Sequence, residues 1–146
     1  MHCHLPIEEL VGMIDSPNRS RCIRILKDHR KLFETCQGST HNHQNWPGGY
    51  IDHITEVMNF AVILWRAMRA TGRRVPELSD ALLVSFLHDI EKPWKYEIGP
   101  DGQLQHIQGL KTAEDEHRFR DQKLIEYGIV LNAEQLNALR YVHGEL

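Results

Sequence analysis

Ala81-Leu82-Leu83-Val84-Ser85-Phe86-Leu87-His88-Asp89-Ile90-Glu91-Lys92-Pro93 is an apolar run that ends abruptly in a histidine, an aspartate and a lysine. Pro93 has no backbone N–H and biases Lys92 away from helical dihedrals, so the run predicts a helix that stops near Glu91 or Lys92. The His-Asp pair then falls in a last turn, partly buried and beside a pocket. A neutral imidazole next to a carboxylate suits borderline divalent metals such as Mn, Fe, Co, Ni or Zn. Taken alone, such a pair is more often a plain helix end, and the rest of the chain decides between the two readings.

Upstream, residues 50–70 are apolar almost all round, the pattern of a central buried helix. His53 shares a face there with Val57, Phe60 and Leu64, so its ring is expected to point inward, and Glu56 follows close behind it. Ser79 is the expected N-cap of the His88-Asp89 helix. Residues 38–49, rich in Gly and Asn, form a loop that carries His43 and Trp46, both candidates for substrate contact. The start of the chain predicts a short helix over residues 7–15, ended by Ser16-Pro17. A second follows over residues 18–33, with His29 on a solvated basic face.

Downstream, residues 94–98 and 103–107 alternate around Gly99-Pro100-Asp101-Gly102 and read as a small hairpin. A helix over residues 110–127, closed by Gly128, places His117 on the face of Ala113 and Leu124. Asn132-Ala133-Glu134-Gln135 has the form of a capping box, and the helix it opens carries Leu136, Leu139 and His143 along one stripe.

At 146 residues the chain is the length of one domain, and its 41% hydrophobic and 25% charged content is that of a globular protein. A net charge of -3 leaves no basic excess for duplex nucleic acid or an anionic membrane. No apolar run reaches the roughly 18 residues that a membrane span needs. Met1-His2-Cys3-His4-Leu5-Pro6 lacks the form of a signal peptide, so a cytoplasmic location is expected. Cys3, Cys22 and Cys36 are odd in number and lack close pairing, as reduced thiols would. Self-association into a homo-oligomer stays open.

The chain is rich in histidine, with ten. His2, His4 and His29 are set aside as terminal or solvated. His53, His88, His117 and His143 lie on four different predicted helices, and buried imidazoles each need a partner. One shared metal centre satisfies them together. With Asp89 as a bridging carboxylate the ligands suffice for two ions, and water between such ions is acidified toward hydroxide near neutral pH.

Gly48-Gly49-Tyr50-Ile51-Asp52-His53-Ile54-Thr55-Glu56-Val57 and Phe86-Leu87-His88-Asp89-Ile90-Glu91-Lys92-Pro93 together resemble the first-histidine helix and the signature segment of the HD-domain metal-dependent phosphohydrolases. The resemblance covers roughly residues 48–146. It implies an all-α domain, an HD-like helical bundle with one small hairpin, in which His53, His88 and Asp89 hold one metal. His117 and Val142-His143-Gly144-Glu145 resemble the later histidines of the two-metal branches, which hold a second ion. Lys92 matches a lysine that faces substrate phosphate there. Two departures accompany this. The family pattern ends in a further aspartate, and no residue after His143 supplies it before Leu146. The doubled histidine and the GYP motif of the HD-GYP branch are also lacking, which argues against cyclic-dinucleotide hydrolysis.

The expectation is a single HD-like domain over residues 1–146, lacking the family's last helix. It would be a hydrolase of a phosphate ester or anhydride in a nucleotide or other small phosphorylated metabolite, using one or two divalent ions (Mn, Fe, Co, Ni, Zn or Mg). Lys92 would neutralise phosphoryl charge, Glu56 would handle a proton, and His43 and Trp46 would close over the substrate. The alternatives are a di-iron oxygenase on the same fold and a non-catalytic binding module with an incomplete site.

Overall fold

In the computed structural model, which describes residues 3–39 and 44–144, the chain is mostly helical with one two-stranded antiparallel sheet. The elements in order are α1 (Ile7–Gly12), α2 (Asn18–Asp28), α3 (Arg30–Thr35), α4 (Gly49–Ala70), α5 (Leu78–Leu87), α6 (Lys92–Lys95), β1 (Tyr96–Ile98), β2 (Leu104–His106), α7 (Ala113–Tyr127) and α8 (Ala133–Tyr141).

α4 and α5 form the centre. α4 packs on α1, α3 and α5, and α5 packs also on α1 and α8. Ile54, Met58 and Val62, four apart on α4, face Leu82, Leu83 and Phe86 of α5 within one apolar cluster. The entry to α4 is tight. Gly48 adopts φ +83°, and a Cβ on Gly49 would stand 1.9 Å from the Gln44 carbonyl oxygen, so neither position accepts a side chain without rearrangement.

Side-chain amides fasten the periphery. Asn59 accepts from the Leu5 N–H and donates to the Leu5 carbonyl, both at 2.9 Å. Asn18 makes the same pair of contacts to Val130 at 3.3 and 3.0 Å, which fixes the start of α2 against the α7–α8 connection. The hairpin pairs Tyr96 with His106 and Ile98 with Leu104, as its turn signal predicts. Gly128 closes α7 in the left-handed conformation, and Asn132 and Gln135 form the expected capping box at α8.

Five expectations change. α4 is not buried all round: Phe60 is 59% and Leu64 60% exposed, because its neighbours pack on the Ile54–Met58 side. Residues 18–33 are two helices, broken at His29. His29 is not solvated either. Its ring meets Trp94 edge-on at 4.7 Å, and its Nε2 donates to the Tyr127 hydroxyl at 2.8 Å while that hydroxyl donates to Asp28 at 2.9 Å. Ser79 does not cap α5, since Glu77 precedes the helix and the Ser79 hydroxyl instead accepts from the Asp15 N–H at 2.7 Å. Finally, α5 stops at Leu87, four residues before Glu91, and Pro93 sits in the first turn of α6, where its missing N–H costs nothing. No helix among the described residues is long and apolar enough to cross a membrane.

Candidate metal centre

The end of α5 explains the position of His88. The last four carbonyls of a helix have no partner within it. The His88 Nδ1–H turns back to the Ser85 carbonyl at 2.7 Å and satisfies one of them. That bond also fixes the tautomer, leaving Nε2 of the neutral ring with a lone pair directed away from the helix. The following turns are tight, with the Ile90, Lys92 and Trp94 N–H groups each bonded three residues back. They carry Asp89 beside the same ring.

His53, one turn into α4, reaches the same point from the facing helix. Its Nε2 lies 3.4 Å from His88 Nε2 and 3.3 Å from Asp89 Oδ2, while His88 Nε2 lies 3.1 Å from that oxygen. One donor atom from each of the three falls within 4.8 Å of the others. Lys92, three residues beyond Asp89, places its ammonium 2.6 Å from Asp89 Oδ2. His143, just past α8, brings its Nε2 to 3.5 Å from the other oxygen, Oδ1. Val57 and Val142 complete the wall of a cavity of ≈ 370 Å³ around these groups. A larger concavity, ≈ 520 Å³, lies over Glu8, Leu26 and Arg30, but Arg30 is already paired with Glu8 and Glu34 and no imidazole faces it.

The electrostatics follow from burial and charge. Asp89 is 2% exposed, which opposes ionisation, yet hydrogen bonds from His53 and from the protonated form of the His88 ring, with the charges of that form and of Lys92, hold its carboxyl far below the usual carboxylate range. Burial opposes protonation of His88, but Asp89 outweighs it and raises its pKa. Glu91 lies on the inner side of the same segment, 4% exposed, and burial pushes its carboxyl up to about 7.

Two imidazoles, one with its tautomer fixed, and an ionised carboxylate form a donor set suited to a borderline divalent ion. The residues fit a metal. The described structure brings His53, His88, Asp89, Lys92 and His143 to one cavity and leaves three other candidates outside its lining. His117 is half-buried on α7, which packs against α2. Glu56 accepts a hydrogen bond from Gln44 at 2.7 Å, and Trp46 donates to Asp52 at 2.8 Å, so both fasten the loop before α4 to its first turns. His43 lies outside the described residues.

Two groups near the site carried no role in the sequence reading. The Ser85 carbonyl is invisible to a search for side chains. Arg120, buried on α7, looked like one more charge in a charged stretch, and only its place among Ala113, His117 and Leu124 on one helical face hinted otherwise. Comparisons with protein-family models, with curated proteins and with solved structures return no match for this chain.

Proposed function

We propose that the chain is a metal-dependent phosphohydrolase with an HD-like helical fold, acting on a phosphate ester or anhydride of a nucleotide or another small phosphorylated metabolite. The observation that carries this reading is the convergence of His53, His88 and Asp89 from two helices, with a lysine ammonium beside them in one cavity. His53 Nε2, His88 Nε2 and Asp89 would hold the ion, and His143 stands beside Asp89 Oδ1 as the candidate for a further ligand. A divalent ion held there supplies an acidified water and a Lewis acid for a phosphoryl oxygen.

The chain's own groups supply the rest. Lys92 is 22% exposed, with its ammonium at the cavity wall, where it can leave Asp89 and neutralise charge on the phosphoryl oxygens. Val57 and Val142 make part of that wall apolar, which lowers the local dielectric and strengthens the charge contacts. Glu56, three residues beyond His53, is the candidate for handling a proton, with Gln44 donating to its Oε2 at 2.7 Å.

A second reading is favoured by the 2.6 Å contact of Lys92 with Asp89, which already balances the carboxylate charge. On that reading the triad is a buried polar network of a non-catalytic module. The experiment is phosphate release from a panel of nucleoside mono-, di- and triphosphates and p-nitrophenyl phosphate with Mn²⁺ or Co²⁺ added. Release by the parent and its loss in Asp89→Asn supports the hydrolase. No release from any member with either ion, or release unchanged in Asp89→Asn, leaves the second reading.

A further inference from the structure

Arg120 is the only lysine or arginine among the described residues that is buried, at 5% exposure. Taking a guanidinium out of water is costly unless it is paired and hydrogen-bonded. Its contacts are specific. One terminal nitrogen donates to the Leu139 carbonyl at 3.4 Å, and its Nε is buried with no hydrogen-bond partner. The Leu139 carbonyl is one of the last four of α8, so this contact caps the C-terminal end of that helix.

The Leu139 end of this contact leads into the metal centre. Four residues beyond Leu139, His143 brings its Nε2 to 3.5 Å from Asp89 Oδ1. His143 lies past the last residue of α8, where the Gly144 N–H bonds to the Tyr141 carbonyl at 2.9 Å. Its place depends on how the end of α8 is held. The start of α8 is fixed separately, by Gln135 donating to Asp80 of α5 at 2.6 Å. Arg120 is the corresponding fastening at the other end.

We propose that Arg120 is a positioning residue: by fastening the end of α8 to α7, it sets the distance between Asp89 and His143 and so makes His143 a ligand. The proposal rests on the metal-centre reading above. Arg120→Lys keeps the charge but replaces the planar fork with a single ammonium. Co²⁺ titration by visible absorption is run on the parent, Arg120→Lys, His143→Ala and the double variant. Arg120→Lys is expected to weaken Co²⁺ binding about tenfold in the parent, the effect usual for an outer-shell partner. In the His143→Ala background the same change is expected to cost less than about twofold, since the ligand it serves is gone.

An equal loss in both backgrounds overturns the proposal, because Arg120 would then act through the whole fold. Arg120→Gln, shorter and neutral, is the second variant and carries the same expectation should the lysine variant fail to fold. Amide exchange without metal reads the positioning directly. In Arg120→Lys it is expected to quicken about tenfold at residues 141–144 and to stay unchanged at residues 133–136. Unchanged exchange at residues 141–144 overturns the proposal. A parent that binds no Co²⁺ removes the metal reading itself, and the exchange pattern tells that result apart from a failure of Arg120.

Discussion

Asp89 is the residue on which three elements meet. Its Oδ2 lies within 3.3 Å of two imidazole nitrogens and the Lys92 ammonium, so Lys92 and a metal compete for one carboxylate. Lys92→Met is therefore expected to bind Co²⁺ as tightly as the parent or more tightly, while phosphate release falls by about a hundredfold through loss of charge stabilisation. Weaker Co²⁺ binding in that variant would show that Lys92 organises the site instead of competing for it. A second residue-scale prediction concerns Cys22, which is fully buried and whose thiol burial pushes up to about 12. In the unfolded chain a thiol ionises near 8.5. The neutral buried thiol thus contributes stability that is complete below about pH 8.5 and lost as pH rises toward 12. Urea unfolding at pH 8 and pH 10 should show the parent losing about 2 kcal/mol more than Cys22→Ala over that interval; equal losses would mean the thiol ionises in place.

At the scale of single elements, α8 is the most informative. Asn132 accepts from the Gln135 N–H at 2.8 Å, and Gln135 accepts in return from the Asn132 N–H at 2.9 Å. Asn132→Ala should lower stability by about 1 kcal/mol in urea unfolding, and no measurable change would mean that tertiary contacts alone hold the helix. This box was legible because capping is local chemistry, readable from four consecutive residues. The Gly128 stop and the hairpin turn were legible for the same reason. The end of α5 was not. Pro93 marks a place where a helix is discouraged, but the helix stops earlier because His88 turns back to the Ser85 carbonyl, and Pro93 then begins α6. Hydrophobicity also misled at α4, since an apolar side chain does not say whether a neighbour covers it, and Phe60 and Leu64 stand exposed. His29 failed the other way: its flanking Arg and Lys residues reach water while its own ring sits among Phe33, Trp94 and Tyr127.

For the whole molecule, the helical character and the two-stranded sheet were legible from periodicity and turn chemistry, and so was the pairing of His53 with the His88-Asp89 segment. His143 reaches the cavity by a different route from the one expected. The sequence pattern puts it in a helical stripe, yet it lies beyond α8, and the contact with Asp89 comes from the turn that follows. For His117 on α7, periodicity gives only the face of a helix and not what that face packs against. The distances between helices come from side chains such as Arg120 and Gln135, whose partners are 19 and 55 residues away. Nothing in a local window reveals them.

The central claim is that His53, His88 and Asp89 hold a divalent ion. The measurement that tests it most directly is thermal unfolding of tag-free protein, first treated with EDTA and dialysed, then titrated with Mn²⁺, Co²⁺ and Zn²⁺, beside His88→Ala and Asp89→Ala. An ion that binds only the folded chain adds about 2.7 kcal/mol at a hundred times its Kd, so the parent should melt several degrees higher with at least one ion. The two variants should show no shift, and elemental analysis should give one or two equivalents in the parent alone. A parent whose melting is unmoved by all three ions, or variants that shift as much as the parent, would contradict the claim and leave the triad as a buried polar network balanced by Lys92.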